Sequence, residues 1–147
     1  MVATAGETNQ DRLRELGAIP VVYGPGLVDR VRSAAPDGID LILDAAGTDE
    51  AIEASFALVD DRQRIGTIVL GFRAAELGIR AWSGGSPIPL TADEERWRSE
   101  AVAAAAGLAE HGKFEIEIGA QFPLERALDA LATSRLGRVR GKIVVLP

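Results

Sequence analysis

Residues 39–59 read IDLILDAAGTDEAIEASFALV and combine a strand signal with a helix signal in one stretch. Residues 39–43 form an apolar run that is typical of a buried strand, and the turn residues 44–47 follow it directly. Thr48 or Asp49 can cap the helix that comes next. The predicted inward side chains of that helix are spaced three or four residues apart: Ile52, Phe56 and Val59. A strand, a short turn and a helix in this order make one βα unit.

The same alternation extends in both directions along the chain. Further strands are predicted at residues 2–5, 20–23, 64–70, 79–82, 115–118 and 142–146. Further helices are predicted at residues 9–16, 27–34, 74–77, 91–110 and 124–133, with a loop at residues 84–89. Strands that alternate with helices favour an α/β fold, in which a parallel sheet carries helices on both faces. No repeat or linker interrupts residues 1–147, which predicts a single domain.

The charge and composition of the chain exclude several classes of protein. Its 147 residues carry 16 basic and 22 acidic side chains, a net charge of −6, which argues against a nucleic-acid or anionic-membrane binder. There is no cysteine and His111 is the single histidine, so Cys-based zinc sites and histidine clusters are excluded, and no metal site is predicted. No run approaches the about 20 apolar residues that span a bilayer, and no signal peptide opens the sequence, so the expected location is the cytoplasm.

Four segments carry a resemblance to a known family. They are the stretch at residues 39–59, VATAGETNQDRLRELGA at residues 2–18, RIGTIVLG at residues 64–71 and FPLERALDALATSRLGRVRGKIVVLP at residues 122–147. In this order they resemble the C-terminal half of the medium-chain dehydrogenases/reductases, and within that family the zinc-independent, NADP-dependent quinone oxidoreductases. The most distinctive segment is the last, in which Phe-Pro-Leu is followed by a helix and then by Arg-Gly-Lys.

The resemblance implies a truncated Rossmann-type fold, with a parallel sheet between two layers of helices and with the first strand missing. The N-terminal catalytic domain of such enzymes, and the first strand with its glycine-rich turn, have no counterpart in the sequence. In the sheet order 3-2-1-4-5-6, that strand would lie between the strands at Val2–Ala5 and residues 39–43. Buried edges without partners cost about 1–3 kcal/mol for each unsatisfied group. Three solutions are open: direct pairing of the flanking strands, strand exchange with a second copy, or a separate polypeptide that supplies the N-terminal half.

The resemblance also assigns cofactor-binding positions at the carboxyl ends of the strands, where open α/β sheets bind ligands. NADP-using relatives place a serine and a basic residue after the strand at Val2–Ala5, to hold the 2′-phosphate. The matching positions here are Gly6 and Thr8, so this chain departs from the pattern, and no Asp or Glu ends the strand as NAD would favour. Arg12, one helical turn further on, either replaces the basic residue or is a solvated helix residue. Tyr23 would border the adenine.

The nicotinamide side of an NADP site is expected at Gly47, Gly71 and Phe72, which follow the next two strands. For each of the two glycines, the alternative is a turn that needs a positive φ. For Asp44, which opens the turn to Gly47, the alternative is a cap on the helix that follows.

Other motifs are interpreted as structural. GPGLVD at residues 24–29 is a near match to a dinucleotide-binding fingerprint, but Asp29 occupies the third glycine position, so a turn before a helix is favoured. The acidic groups at residues 60–61 and 93–95 are typical of exposed loops and helix ends. His111 suits the C-terminus of a long helix, and the serines within residues 83–86 have no histidine nearby in the sequence. No catalytic residue is predicted.

Trp82 ends a predicted strand at the edge of the sheet. In relatives this edge pairs with its copy across a two-fold axis, so the resemblance implies a homodimer in which Trp82 anchors the interface. Without a dimer, Trp82 is part of the core.

The implied function is that of the cofactor domain of an enzyme that passes hydride from NADPH to a quinone, enone or carbonyl compound. Alone, the chain is expected to show little or no activity. The alternative is a non-redox binding or assembly module derived from the same family.

Overall fold

The computed structural model describes residues 1–82 and 89–147. The serines within residues 83–86, and all but the last residue of the loop predicted at residues 84–89, lie outside the described residues. The chain forms two compact units, Met1–Ile88 and Pro89–Pro147, called unit 1 and unit 2 below. The single domain expected over residues 1–147 stays a prediction.

Unit 1 alternates strands and helices, which confirms the α/β pattern. Its strands are β1 (Val2–Ala5), β2 (Ile19–Val22), β3 (Ile42–Asp44), β4 (Ile65–Thr67) and β5 (Arg80–Ala81). Its helices are α1 (Gln10–Glu15), α2 (Leu27–Ala34), α3 (Asp49–Leu58) and α4 (Ala74–Leu77). Short 3-10 turns at Glu7–Asn9 and Arg62–Arg64 precede α1 and β4. Every one of these strands and helices overlaps a predicted segment.

Strand β4 is shorter than predicted because the backbone turns away after Thr67. The N–H of Ile68 donates to the carbonyl oxygen of Asp44 at 3.1 Å. The N–H groups of Val69 and Leu70 donate to the Thr67 side-chain oxygen at 3.1 and 3.0 Å. The apolar run at residues 68–70 is therefore a turn whose N–H groups are satisfied by the strand ends, and not an extension of the strand.

The described strand pairs of unit 1 are all parallel. β1 lies beside β2 with Val2 opposite Ile19. β3 lies beside β4 with Leu43 opposite Gly66, and β4 lies beside β5 with Gly66 opposite Arg80. The strand orders are therefore β1-β2 and β3-β4-β5, in two separate sheets.

The division between the two sheets falls between β1 and β3. Among residues 1–82 and 89–147, β1 pairs only with β2, and β3 pairs only with β4. Direct pairing of the two flanking strands, one of the three solutions expected from the sequence, is not formed. The division lies where the resemblance implies a further strand, and the strand order on each side of it agrees with the truncated Rossmann-type sheet.

The core of unit 1 lies between α3 and one face of the β3-β4-β5 sheet. It consists of the buried side chains Ile52, Val59, Ile65, Leu70, Ala74 and Ile79. Ile52 and Val59 are two of the three predicted inward residues, and the third, Phe56, packs against the same cluster. The guanidinium of Arg62 lies 4.1 Å from the centre of the Phe56 ring and covers its outer side. The amphipathic spacing of residues 52–59 therefore predicted the core face correctly.

Trp82 packs on the other face of this sheet. Its backbone N–H donates to the carbonyl oxygen of Thr67 at 3.1 Å. Its ring lies against Gly66, where a side chain would overlap the ring, and the Arg80 guanidinium lies 4.7 Å from the ring centre. Trp82 is therefore half-buried by its own chain, and the homodimer that it would anchor stays a prediction.

Unit 2 consists of α5 (Ala92–Glu110), α6 (Ala127–Arg135) and the parallel strands β6 (Ile118–Pro123) and β7 (Lys142–Leu146). The boundary predicted for α5 is confirmed by a capping box. The Thr91 hydroxyl accepts a hydrogen bond from the Glu94 N–H, and the Glu94 carboxylate accepts one from the Thr91 N–H at 2.9 Å.

The strand predicted at residues 115–118 is wrong, because the pairing begins where that segment ends. The alternation of acidic and apolar residues at 115–118 is strand-like, but β6 runs over Ile118–Pro123. The register brings Ala120, Gln121 and Phe122 opposite the apolar residues 143–145 of β7. Gly119 allows the close approach that starts this pairing, since a side chain there would overlap the carbonyl oxygen of Arg140.

Replacing Gly66 with alanine is expected to destabilise unit 1 by about 1–3 kcal/mol, because the added methyl group would displace the Trp82 ring. Denaturant unfolding followed by circular dichroism measures this change. Gly107→Ala is the matched control. A methyl group at this helical position meets no atom within 4 Å, and the better helix propensity of alanine is worth up to about 1 kcal/mol. Equal stability of both variants would contradict the packing of Trp82 on Gly66.

Candidate functional site

The carboxyl ends of β3 and β4 are joined by a buried pair of polar side chains. The Thr67 hydroxyl donates to Oδ2 of Asp44 at 2.8 Å, and both side chains are buried. Oδ1 of Asp44 accepts hydrogen bonds from the N–H groups of Ala46 and Gly47 at 3.0 and 2.9 Å. The same Thr67 oxygen accepts the two N–H groups of the turn after β4. One pair of side chains therefore shapes the turns after both strands.

Asp44 does not cap helix α3, contrary to the structural alternative considered for it. Its carboxylate closes its own turn, and the helix is capped by Thr48, whose hydroxyl accepts the N–H of Ala51 at 3.2 Å. Gly47, between them, has a φ of 68°. An added Cβ at Gly47 would lie 3.2 Å from Cβ of Val69, so the two turns are in contact at this glycine.

The turn after β4 carries the most exposed aromatic side chain of the described residues. Leu70 and Ala74 are buried at its two ends, whereas Phe72 is 85% exposed. The N–H of Arg73 donates to the carbonyl oxygen of Leu70 at 2.9 Å and closes the turn. Gly71 does not have a positive φ. A turn that needs a positive φ therefore explains the glycine at position 47 but not the glycine at position 71.

A third contact between the two turns is an ion pair. Arg73 Nη1 lies 2.8 Å from Oδ1 of Asp49, the first residue of α3. The hydrogen bond to Asp49 and the attraction of its charge raise the pKa of Arg73 above its usual value. The positions predicted for the nicotinamide side, Gly47, Gly71 and Phe72, are thus brought together on two turns that contact each other.

The carboxyl ends of β1 and β2 bring together a second pair of predicted residues. An added Cβ at Gly6 would lie 3.3 Å from the Tyr23 hydroxyl oxygen, so the phenol ring lies over this glycine. The Gln10 side-chain amide donates to the carbonyl oxygen of Ala5 at 2.8 Å and holds the end of β1 against α1. Tyr23 is 59% exposed, which leaves its outer ring face accessible.

Thr8 and Arg12 follow Gly6 on the surface of unit 1. Thr8 is exposed in the 3-10 turn before α1. Arg12 Nη1 lies 3.1 Å from Oε2 of Glu15, three residues further along the chain. This ion pair on the helix surface supports the alternative that Arg12 is a solvated helix residue, and it leaves the guanidinium within one helical turn of Thr8.

Arg30, which the sequence did not single out, controls the turn between β2 and α2. Its guanidinium donates to the carbonyl oxygens of Val22, Pro25 and Gly24 at 3.0, 2.6 and 2.9 Å. The turn therefore presents carbonyl oxygens to an arginine and not N–H groups to a phosphate. No sequence signal marked Arg30, because an arginine on an amphipathic helix usually faces solvent.

A shallow depression beside this turn, between α2 and α3, is lined by Glu50 and Glu53 together with Gly24 and Gly26. Two acidic side chains repel a pyrophosphate. The interpretation of residues 24–29 as a structural turn is therefore supported by Arg30 on one side and by these carboxylates on the other.

Several side chains that the sequence analysis interprets as structural have structural partners. Asp61 accepts the N–H of Gln63 at 2.9 Å, and Asp93 pairs with Arg96 at 3.0 Å. His111 Nδ1 lies 2.7 Å from the carbonyl oxygen of Gly107 at the end of α5. Within residues 1–82 and 89–147, no three His, Cys, Asp or Glu side chains lie together as metal ligands would. No helix in the described parts of the chain is long and apolar enough to cross a bilayer.

The fold and the site together define a cofactor-binding type of α/β domain, in which turns at the carboxyl ends of parallel strands form the candidate site. The model of the zinc-binding dehydrogenase family matches residues 16–145. The chain therefore belongs to this family, a member of the medium-chain dehydrogenases/reductases. A zinc ion does not fit the described residues, because the chain has no cysteine and a single histidine. No curated protein sequence matches the chain significantly.

Solved structures of related enzymes have the same fold. The crystal structure of an NAD-dependent alcohol dehydrogenase is 21% identical, with a TM-score of 0.69 over 99% of this chain and 43% of that chain. CurA from Vibrio vulnificus, solved in complex with NADPH, is 16% identical with a TM-score of 0.63, over 98% of this chain and 48% of that chain. The CurK enoyl reductase is 16% identical with a TM-score of 0.67, over 99% of this chain and 47% of that chain. The chain thus spans less than half the length of these structures.

Replacing Thr67 with valine is expected to destabilise unit 1 by about 1–3 kcal/mol, because it leaves Asp44 and two N–H groups without their partner at nearly unchanged volume. Thr4→Val, at an exposed position of β1, is the matched control and should change stability by less than about 0.5 kcal/mol. Denaturant unfolding of both variants measures the difference. If Thr67→Val unfolds like the control, the buried pair does not organise the two turns.

Proposed function

We propose that this chain is the cofactor-domain portion of an NADP-dependent oxidoreductase that reduces quinone, enone or other carbonyl compounds. The observation that carries the proposal is the pair of contacting turns at the carboxyl ends of β3 and β4, in a chain of dehydrogenase ancestry. Such an edge is where open α/β sheets bind their ligands. When bound, the nicotinamide would supply the hydride, and this chain would hold and orient it.

Gly47, Gly71 and Phe72 would form the wall on the nicotinamide side. The backbone at Gly47 and Gly71 allows a ligand to approach closely, because no side chain stands in its path. The Phe72 ring, 85% exposed in the chain alone, offers an apolar surface that would exclude water from one face of the ligand. Exclusion of water and fixed orientation are the contributions that this branch of enzymes needs from its cofactor domain.

Gly6, Thr8, Arg12 and Tyr23 would form the adenosine side. The Tyr23 ring over Gly6 offers a flat surface and a hydroxyl group at the end of β1. The Thr8 hydroxyl and the Arg12 guanidinium, in the turn and helix that follow, would hold the 2′-phosphate that distinguishes NADP from NAD. The NADPH complex of CurA, whose fold this chain shares, is compatible with this preference.

The chain alone would have little or no activity. The pyrophosphate-binding turn and most of the substrate cleft of this enzyme class are supplied by regions that have no counterpart in these 147 residues. A cofactor held only at its two ends would bind more weakly than one that is also held at its pyrophosphate. We propose the cytoplasm as the location, because a chain without cysteine gains nothing from an oxidising compartment.

The partner is proposed to be a second copy, which binds either beside β5 near Trp82 or by strand exchange at the division between β1 and β3, and strand exchange would also complete the sheet. A separate polypeptide that supplies the N-terminal half is the third solution. Leu43 in β3 is 66% exposed and Leu41, just before this strand, is 73% exposed, which supports the two solutions that fill the division between the sheets.

A non-redox binding or assembly module is the second candidate function. The same unpaired strand edges favour it, because strand edges bind further strands. It predicts oligomerisation or peptide binding without any affinity for a dinucleotide.

Arg12→Ala is expected to weaken NADPH binding about tenfold and to leave NADH binding unchanged, because the lost contact is to the 2′-phosphate. Arg14→Ala is the matched control, since Arg14 stands on the same helix in a similar ion pair with Asp11. Fluorescence titration of both reduced cofactors measures the effect, and an assay of NADPH oxidation with quinone and enone substrates accompanies it. Tight NADPH binding with turnover by the chain alone would contradict the need for further regions, and equal loss of NADH binding would contradict the role of Arg12.

The two homodimer models are separated by proline substitutions at N–H groups that face outward. The N–H of Trp82 donates to Thr67 in β4. Because neighbouring residues of a strand direct their N–H groups to opposite sides, the N–H of Ala81 points to the open edge of β5. Just before β1, the carbonyl oxygen of Met1 accepts a hydrogen bond from the N–H of Ile19 in β2. Because successive residues of a strand direct their N–H and C=O groups to alternate sides, the N–H of Thr4 points away from β2, to the division between the sheets. Light scattering is expected to show a dimer that Ala81→Pro abolishes if β5 forms the interface, and that Thr4→Pro abolishes if strands are exchanged. A wild-type monomer would contradict both models.

A further inference from the structure

The apex of the turn after β4 has almost no packing to fix it. Leu70 and Ala74, at its ends, are 7% and 5% exposed, and they belong to the core of unit 1. Gly71 and Phe72, between them, are exposed. A ring that is 85% exposed makes few contacts of its own, so its position depends on how the backbone beneath it is held.

Arg73 connects this apex to the neighbouring turn. Its backbone N–H closes the turn on Leu70, and it is the N-cap residue of α4, whose carbonyl oxygen accepts the N–H of Leu77 at 3.0 Å. Its side chain reaches away from α4 to the carboxylate of Asp49, at 2.8 Å. Asp49 is 24 residues earlier in the chain and starts α3, directly after the turn that holds Gly47.

We propose that Arg73 is a positioning residue: through Asp49 it holds the apex at Gly71 and Phe72 beside Gly47, in the arrangement that a nicotinamide ring would contact. This inference rests on the proposed function, and it assigns to that site a residue that contacts no ligand. The guanidinium is 33% exposed and the carboxylate 77% exposed. An exposed pair of this kind contributes little to global stability, so its role is local.

The surrounding charges favour the pair. Asp49 raises the pKa of Arg73 most strongly, through the hydrogen bond and its charge, and Glu76 on α4 adds to the effect. Asp49 also stands in the first turn of α3, where a carboxylate is stabilised by the helix dipole. The arginine is therefore bound by a carboxylate on α3 and attracted by a second one on α4.

The test compares Arg73→Gln, Arg73→Lys and the double variant Arg73→Gln/Asp49→Asn with Arg126→Gln, in which a similar exposed pair with Asp129 in unit 2 is lost. Dissociation constants are measured by NMR titration for NADPH and for adenosine 2′,5′-bisphosphate, which lacks the nicotinamide. Arg73→Gln is expected to weaken the binding of NADPH about two- to fivefold, without changing the affinity for the bisphosphate. Arg73→Lys should restore most of the loss, and the double variant should be no weaker than Arg73→Gln.

A measurement without ligand completes the test. Backbone ¹⁵N relaxation at Gly71 and Phe72 is expected to show larger motion in Arg73→Gln than in wild type or Arg126→Gln, at unchanged unfolding midpoint. Unchanged relaxation, or equal losses for NADPH and the bisphosphate, would overturn the positioning role. If wild type binds NADPH no better than the bisphosphate, the proposed function fails at its nicotinamide side, and the relaxation data still decide whether Arg73 holds the apex.

Discussion

The hydrogen bond from Thr67 to Asp44 is the constraint on which the candidate site depends. It joins two strand ends that are 23 residues apart in the chain, and both side chains are buried. Each of them also binds the N–H groups of the turn that follows its own strand. In the described residues no buried side-chain nitrogen or oxygen lacks a partner, so the site is built on a satisfied network. The turns that carry Gly47 and Phe72 are joined by this network and by the ion pair between Arg73 and Asp49.

The two halves of the proposed cofactor site lie on separate sheets. Gly6 and Tyr23 belong to the β1-β2 sheet, and Gly47 and Phe72 belong to the β3-β4-β5 sheet. In the described residues no strand joins the two sheets. We therefore propose that the strand which completes the sheet has two roles. It pairs with the open edges of β1 and β3, and it sets the distance between the adenosine side and the nicotinamide side of the site, on which the affinity for a dinucleotide depends.

The sequence predicted the features that depend on local spacing. The βα unit at residues 39–59 predicted the core face of α3 and narrowed its cap to Thr48 or Asp49, of which the structure has Thr48. The family resemblance predicted Gly47, Gly71 and Phe72 at neighbouring strand ends. Features that depend on long-range contacts were missed. Asp44 was considered as a helix cap because its bond to Thr67 crosses between strands, and β6 was placed too early because its register is set by the approach of Gly119 to Arg140. The role of Arg30 depends on three carbonyl oxygens of a turn, which no residue pattern reveals.

The central claim is that the carboxyl ends of the strands in unit 1 bind a nicotinamide dinucleotide. Mapping NADPH-induced shifts of the backbone amide NMR signals tests it most directly. Saturating NADPH is expected to shift two groups of signals, one around Gly6 and Tyr23 and one around Gly47 and Phe72. An absence of shifts at these positions, with changes elsewhere or none at all, would contradict the account and leave the chain as a binding or assembly module of dehydrogenase ancestry.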